Sequence, residues 1–558
     1  MKKLMTMKVR KLFVSMFAIL AFVGCSSEDV VNTSGNNDIS YLTVKLNTTN
    51  TTGAMSTRAE DYEDGLVPEN SVNSVRFYFF KKDNSAANVK VNGAGMVNYY
   101  DVPNPATDEG EDSNVEKIVK ATLVISTKDG NQIPESIVAV VNPDVASLGN
   151  ASLSLEDLNK KIADYSSTVS GFLMSNSVYA DGTTKTKMDT VSVKGHMFPT
   201  SAASLASPVT IYVERVLAKV RLTTGLSLVE GKDYYKTRAD GSEKYGNKEI
   251  FVKFLGWNVT ATAKKSRLMK EINPNWGTGL FTTDIYWNYA DFHRSFWAVN
   301  PSLMEYNYSD FNEDVTAANK LTSFKNDETN NPNYTYLQEN ASDSYNDGTN
   351  PSTPSKVIIA AQLVDKDGHA MEFAEYAGVR MTIDGLKDTY LGLVNWYKAN
   401  DAGTGKVKLS AADIKLVTAT TAGQASQTVA GRYKVYAQLV NKDLVVYPSN
   451  AEGATAVENP NAKLAGLGGA KVWKDGYTYY YFDIRHLNTV STGKGQFGVV
   501  RNHVYAANIN SLTGLGTPVY DPDEIIYPEH PTDDDTYISA EIKILAWRIV
   551  NQNIDLVW

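Results

Sequence analysis

Apolar and polar residues alternate along much of this chain with a period of two, the spacing that places one set of side chains on one face of an extended strand. Leu42, Val44 and Leu46 form the first such row. Val72 to Phe80, Ile118 to Ser126 and Ser136 to Asn142 follow, the last apolar enough to predict burial on both faces. Leu155 to Tyr165 is the one predicted helix, with Ser154 as N-cap and Glu156 and Asp157 in its first turn. The run from Val209 to Leu222 is too long for a typical strand and charged residues interrupt it midway. It reads as the last strand of one domain passing into the first strand of the next. Phe251 to Ala261, Lys356 to Val364, Val379 to Ile383, Arg432 to Leu439 and Tyr477 to Ile484 supply strands for that second domain.

The alternation is clearest at the end of the chain. Ile538, Ala540, Ile542, Ile544 and Ala546 occupy every second position, and the stretch runs past Trp547, Ile549 and Ile554 to Trp558. It follows Tyr520-Asp521-Pro522-Asp523 and the segment from Tyr527 to Asp535, whose prolines and carboxylates disfavour both helix and packed core, so the strand is expected to hang from a flexible tether. An apolar strand on a tether either folds back to close its own sheet or is given to another chain as a missing strand.

Composition agrees with a β-rich chain of two or three domains. There are 32 Tyr and 8 Trp in 558 residues and hardly any long Ala/Leu/Glu/Lys runs. A net charge of −9 without a basic stripe argues against nucleic acid as a partner. At the N-terminus, Lys2, Lys3, Lys8, Arg10 and Lys11 precede the apolar run Leu12 to Val23, the layout of a signal peptide. The run ends Ala21-Phe22-Val23-Gly24-Cys25, which resembles a bacterial lipobox with Phe22 where Leu is usual. Cys25 is the only cysteine, so it has no disulfide partner within the chain and is expected to carry lipid. Ser26-Ser27-Glu28-Asp29 resembles the acidic tag of surface-exported lipoproteins in Bacteroidetes, which predicts an address on the outer surface. Arg58, followed by Ala59 in a small, polar stretch, offers a site to an Arg-specific protease.

Catalytic patterns are missing from the sequence. The six histidines are scattered without zinc spacing, there is no GxSxG elbow or P-loop, and Gly466-Leu467-Gly468-Gly469 reads as a turn. Between Leu268 and Thr353 lies a long insertion rich in Asn, Pro and aromatics. Its Trp276, Trp287 and Trp297, together with Tyr479-Tyr480-Tyr481, are candidates for stacking on sugar rings, the mark of a surface glycan-binding lipoprotein.

The lipobox at Cys25, a first strand ahead of Arg58-Ala59, the junction Val213-Glu214-Arg215-Val216-Leu217-Ala218-Lys219-Val220 and the closing Ile544-Leu545-Ala546-Trp547 resemble, in order and spacing, the Bacteroidales type V fimbrial shaft pilins of the minor-fimbrium type. The resemblance spans essentially the whole chain, and the aromatic insertion and Phe22 depart from it. It implies an all-β protein of two transthyretin-like β-sandwich domains with a C-terminal donor strand, no catalytic site, no metal and no cofactor. The implied division is a lipoprotein signal peptide at 1–24, a propeptide with the first strand at 25–58, sandwiches at 59–214 and 215–532, and the donor strand at 533–558. The implied partners are further copies of the chain and related fimbrial subunits, an Arg-specific maturation protease, the outer membrane through the precursor's lipid, and a host or bacterial surface receptor. Tip and anchor subunits of such fimbriae, and the glycan-binding lipoprotein, are the alternatives.

Overall fold

A computed structural model describes residues 39–49, 66–109, 115–126, 132–169, 171–180, 187–241, 243–271, 299–301, 305–312, 334–340, 354–424, 431–485, 499–528, 537–546 and 548–557. The strands that matter here, in chain order, are β1 (Ile39–Thr49), β2 (Ser74–Phe80), β3 (Tyr99–Pro103), β4 (Val115–Ser126), β5 (Ser136–Val141), β6 (Met174–Asn176) and β7 (Val209–Arg215) in the first part of the chain. In the second they are β8 (Leu217–Thr224), β9 (Phe251–Thr260), β10 (Tyr334–Gln338), β11 (Lys356–Val364), β12 (Ile414–Thr418), β13 (Val435–Leu439), β14 (Tyr477–Asp483), β15 (His503–Leu512), β16 (Thr517–Pro518), β17 (Tyr537–Ala546) and β18 (Arg548–Val557). Two helices are used below, α1 (Leu155–Asn159) and α2 (Ile383–Val394).

The first sheet runs β4, β1, β7, β6, β5, β2, β3, extended beyond β4 by Val89–Val91 and Ala94–Val97. It curves over itself, because Leu42, Val44 and Leu46 of β1, Phe77 and Phe79 of β2, Leu123 of β4 and Ile211 of β7 share one buried core. Its outer face carries a second core in which Leu155 and Leu158 of α1 cover Tyr78, Phe80, Val138 and Val140, so β5 is buried on both faces as its sequence predicts. The helix is shorter than predicted. Ser154 caps it, its Oγ accepting from Asp157 N at 3.1 Å. The helix ends at Asn159, because Ile162 and Ala163 instead pair with Arg267 and Ser266 from the second half of the chain.

The second sandwich stacks β10, β8 and β15 against β9, β11 and β14. Val220, Trp257, Ile359, Tyr480 and Tyr505 meet between the two layers. Between β11 and β14 the chain builds an inserted module, described over 365–424 and 431–476, with a core of Leu386, Tyr390, Leu416, Ala437 and Val472, while Met371, Phe373 and Trp473 join it to the core of the sandwich. Two expectations are corrected here. Val379 to Ile383 is a short strand (Val379–Met381) leading into α2, which Thr382 caps by accepting from Gly385 N at 3.0 Å. Arg432 to Leu439 contributes β13, which pairs with β12 inside the module and not with the sandwich. Among the described residues no helix is long and apolar enough to cross a membrane.

The tail also differs from its prediction. It forms two strands rather than one, β17 antiparallel to β18, and β18 lies parallel to β15 of the same chain, with Val504 opposite Ile549 and Ile509 opposite Ile554. The tether predicted to begin near Tyr520 is partly packed, since Ile526 is buried.

Candidate functional site

β1 is the natural focus, because it is the first strand among the described residues and yet lies inside its sheet. It pairs antiparallel with β4 along its whole length, from Ile39 opposite Ser126, and parallel with β7, Val44 opposite Val209. An interior strand satisfies its N–H and C=O groups on both sides, so its removal would leave two unpaired edges. The face toward the core carries Leu42, Val44 and Leu46, each at most 1 % exposed. On the opposite face the Thr43 hydroxyl meets Thr122 Oγ1 at 3.0 Å and Ser204 Oγ at 2.8 Å, the latter from the short helix Ser201–Ala206. Tyr41 exchanges backbone hydrogen bonds with Phe198, at 2.7 and 2.9 Å.

The C-terminal end of β1 lies near Val213, since Thr48 is opposite it, and so at the end of β7 that meets the second sandwich. The chain re-enters the described structure at the same junction. Residues 66–70 form a short turn pinned by Glu69, whose side chain is fully buried. Glu69 Oε2 accepts from Leu66 N at 2.8 Å, and Oε1 takes Lys219 Nζ at 3.1 Å and the Tyr336 hydroxyl. Arg215 Nε donates to the Glu69 carbonyl at 3.0 Å, and Arg215 Nη1 donates to Asn502 Oδ1 at 3.2 Å. Glu214 and Lys270 form a second buried pair at 3.3 Å, and Arg501 and Glu339 a third at 2.9 Å. The junction motif singled out in the sequence thus contributes Glu214, Arg215 and Lys219 to a buried layer of charges linking the two halves. Burial holds the Lys270 ammonium below the usual lysine range, against the pull of Glu214 and Glu339. Burial, and then the neighbouring Glu69 carboxylate, push the Tyr336 hydroxyl up. Sequence reasoning missed this layer because charged residues are read as solvated by default.

Ile538, Ala540, Ile542, Ile544 and Ala546 fall on β17, whose pairing is with β18, apart from Ala546 opposite His503. Cys25, Arg58, Ala59 and Trp547 lie outside the described residues, as do Trp276, Trp287 and Trp297. The sugar-stacking expectation does not hold for the tyrosine run. Tyr479, Tyr480 and Tyr481 are each at most 7 % exposed, with Tyr480 between the layers of the sandwich and its neighbours packed on the outer face. Asp365, Asp367 and His369 are close enough to share a cation. Their geometry is that of a turn, with Asp365 Oδ1 accepting from the backbone N–H of Asp367 at 2.9 Å and of His369 at 3.1 Å. Gly466-Leu467-Gly468-Gly469 follows a short helix and turns the chain, Gly468 having φ +95°.

A search of the curated proteins finds no match. Solved structures similar to this chain include a fimbrilin from Porphyromonas gingivalis W83, 12% identical over 93% of this chain and 97% of that one, with a TM-score of 0.33. A fimbrial assembly protein from Parabacteroides distasonis is 12% identical over 58% of this chain and 81% of its own, TM-score 0.28. A C-terminally truncated tip fimbrial protein from P. gingivalis is 11% identical over 60% and 80%, TM-score 0.27. Overlap at this level carries no argument about the present chain. The sequence match is more telling, since the family described as "Major fimbrial subunit protein type IV, Fimbrillin, C-terminal" matches residues 471–553, the stretch holding β14, β15, β16, β17 and most of β18. The similarity is to the C-terminal region of major fimbrial subunits, and it covers residues 471–553 of this chain.

Proposed function

We propose that this chain is a polymerising fimbrial subunit activated by loss of β1. The precursor is lipidated at Cys25 and carried to the outer membrane, and an Arg-specific protease cuts between Arg58 and Ala59. Release of β1 opens a groove between β4 and β7, and the C-terminal strand of another copy, through Ile538, Ala540, Ile542, Ile544, Ala546 and Trp547, enters it. The resulting polymer supports adhesion through a surface receptor. The observation that carries the reading is the position of β1. A strand that can be detached at one covalent link fills the middle of a sheet, with three core side chains and both edges paired.

The folded-back tail is the competing arrangement, since β18 occupies the edge of β15 in the same chain. Donation requires the tail to leave that edge. The sequence of the mature N-terminus tests the scheme directly. Protein recovered from the cell surface is expected to begin at Ala59, and Arg58→Ala is expected to keep β1 and abolish polymers. A mature N-terminus elsewhere, or normal polymers from the mutant, would overturn it.

A further inference from the structure

The segment between the second sandwich and the tail is gripped on three sides. It first lies against β14, where Thr478 is opposite Pro518 and Val519 N donates to the Tyr477 carbonyl at 3.0 Å. Contact there is so close that a Cβ on Gly516, whose φ is +69°, would fall 2.5 Å from Thr478 Oγ1. Next it meets residues 308–312, Ile526 N donating to Ser309 O at 2.9 Å and Tyr527 packing on Tyr308 with ring centres 4.7 Å apart. The third side is the inserted module. Tyr520 packs on the module's core and its hydroxyl donates to Leu416 O at 3.0 Å. The Thr420 hydroxyl donates to Glu524 Oε1 at 2.6 Å. Arg432 faces the same carboxylate at 3.7 Å and stands over the Tyr527 ring at 4.6 Å.

We propose that the module of residues 365–476 is a saddle for the root of the C-terminal tail, with Leu416, Thr420 and Arg432 fixing where the tail leaves the subunit. This rests on the reading of the tail as the donated strand. The physical consequence is reach. With Tyr527 held, only residues 528–536 separate the root from β17, nine residues that span at most about 30 Å. With the module's hold released, slack begins just after the contact with β14, near Val519, and the tail leaves without a fixed direction. A held root delivers the donor strand at a defined place and makes a stiff joint between subunits, whereas a loose root makes a hinge.

The test uses the full chain and two variants, Arg432→Ala and the milder Tyr520→Phe, followed by hydrogen exchange. Exchange of the Val519 and Ile526 amides is expected to quicken by about tenfold or more in Arg432→Ala and about fivefold in Tyr520→Phe, with the β9 amides unchanged as the control for folding. Unchanged exchange at both amides in a folded Tyr520→Phe protein overturns the grip. Filaments from the variants are expected to bend more, their persistence length in electron micrographs falling at least about twofold. Equally straight filaments despite faster exchange overturn the positioning role. A chain ending at Asp535 separates the two ideas. Filaments from that chain would defeat the donor reading itself, and hydrogen exchange alone would then decide whether the root is gripped.

Discussion

If β1 is held in its groove by burial after the chain is cut, its affinity as a free peptide should be set by the side chains that face the core. Leu42, Val44 and Leu46 are at most 1 % exposed, and each is packed within the same core as Phe77, Phe79 and Leu123. Truncating a leucine in such a place costs about 2 to 5 kcal/mol, transfer term plus cavity term. At about 1.4 kcal/mol per factor of ten, that corresponds to a loss of affinity from about 30-fold to several thousand-fold. The assay is binding of a labelled peptide spanning 39–58 to a chain spanning 59–535, which lacks both β1 and the tail, followed by fluorescence polarisation. Leu42→Ala and Leu46→Ala peptides are expected to weaken binding by at least about 30-fold. Lys45→Ala, half-buried on the opposite face, is expected to stay within about fivefold. A peptide spanning 537–558 should compete for the same groove. Equal affinities for the wild-type and Leu42→Ala peptides would refute the claim that core burial holds β1, and a tail peptide that never competes would refute the shared groove.

Three further outcomes are expected. Cys25→Ser should leave the precursor without acyl label and largely off the outer membrane, and normal labelling of the mutant by a fatty-acid probe would contradict lipidation there. Truncation after Asp535 should abolish polymers. If the truncated chain's melting temperature also falls steeply, the pairing of β18 with β15 is a substantial part of the monomer's stability, and a tail that mainly closes its own sheet is the better description. Lys219→Met leaves the Glu69 carboxylate buried with one partner fewer and should cost about 3 to 5 kcal/mol, read as a lower denaturant midpoint. The double variant Glu69→Gln with Lys219→Met should recover part of that loss, and strict additivity of the two single changes would show that the pair is not coupled.

Strand positions are legible wherever the signal is local. Leu42 to Leu46, Phe251 to Ala261, Lys356 to Val364 and Tyr477 to Ile484 all form strands close to their predicted bounds, because alternation is written in neighbouring residues. A local signal for α2 is also present, in the Thr382 cap and in Leu386, Tyr390 and Leu391 at helical spacing. The apolar start of that run reads equally well as a strand, which is why the pattern alone misplaces it. The end of α1 cannot be read locally, since Ile162 and Ala163 are drawn out by a pairing with Ser266 and Arg267 a hundred residues away.

What the sequence determined by itself was therefore the class of the protein, its run of strands and the two rows, Leu42 to Leu46 and Ile538 to Ala546, that suit a sheet edge. Tertiary structure alone decided three things. It placed β1 between β4 and β7, it grouped Glu69, Glu214, Lys219 and Lys270 into a buried layer at the junction, and it folded the tail onto β15. The physical reason is the same in each case. A period of two states which side chains share a face but not which edge the backbone will join, and a charged side chain does not announce the partner that lets it be buried.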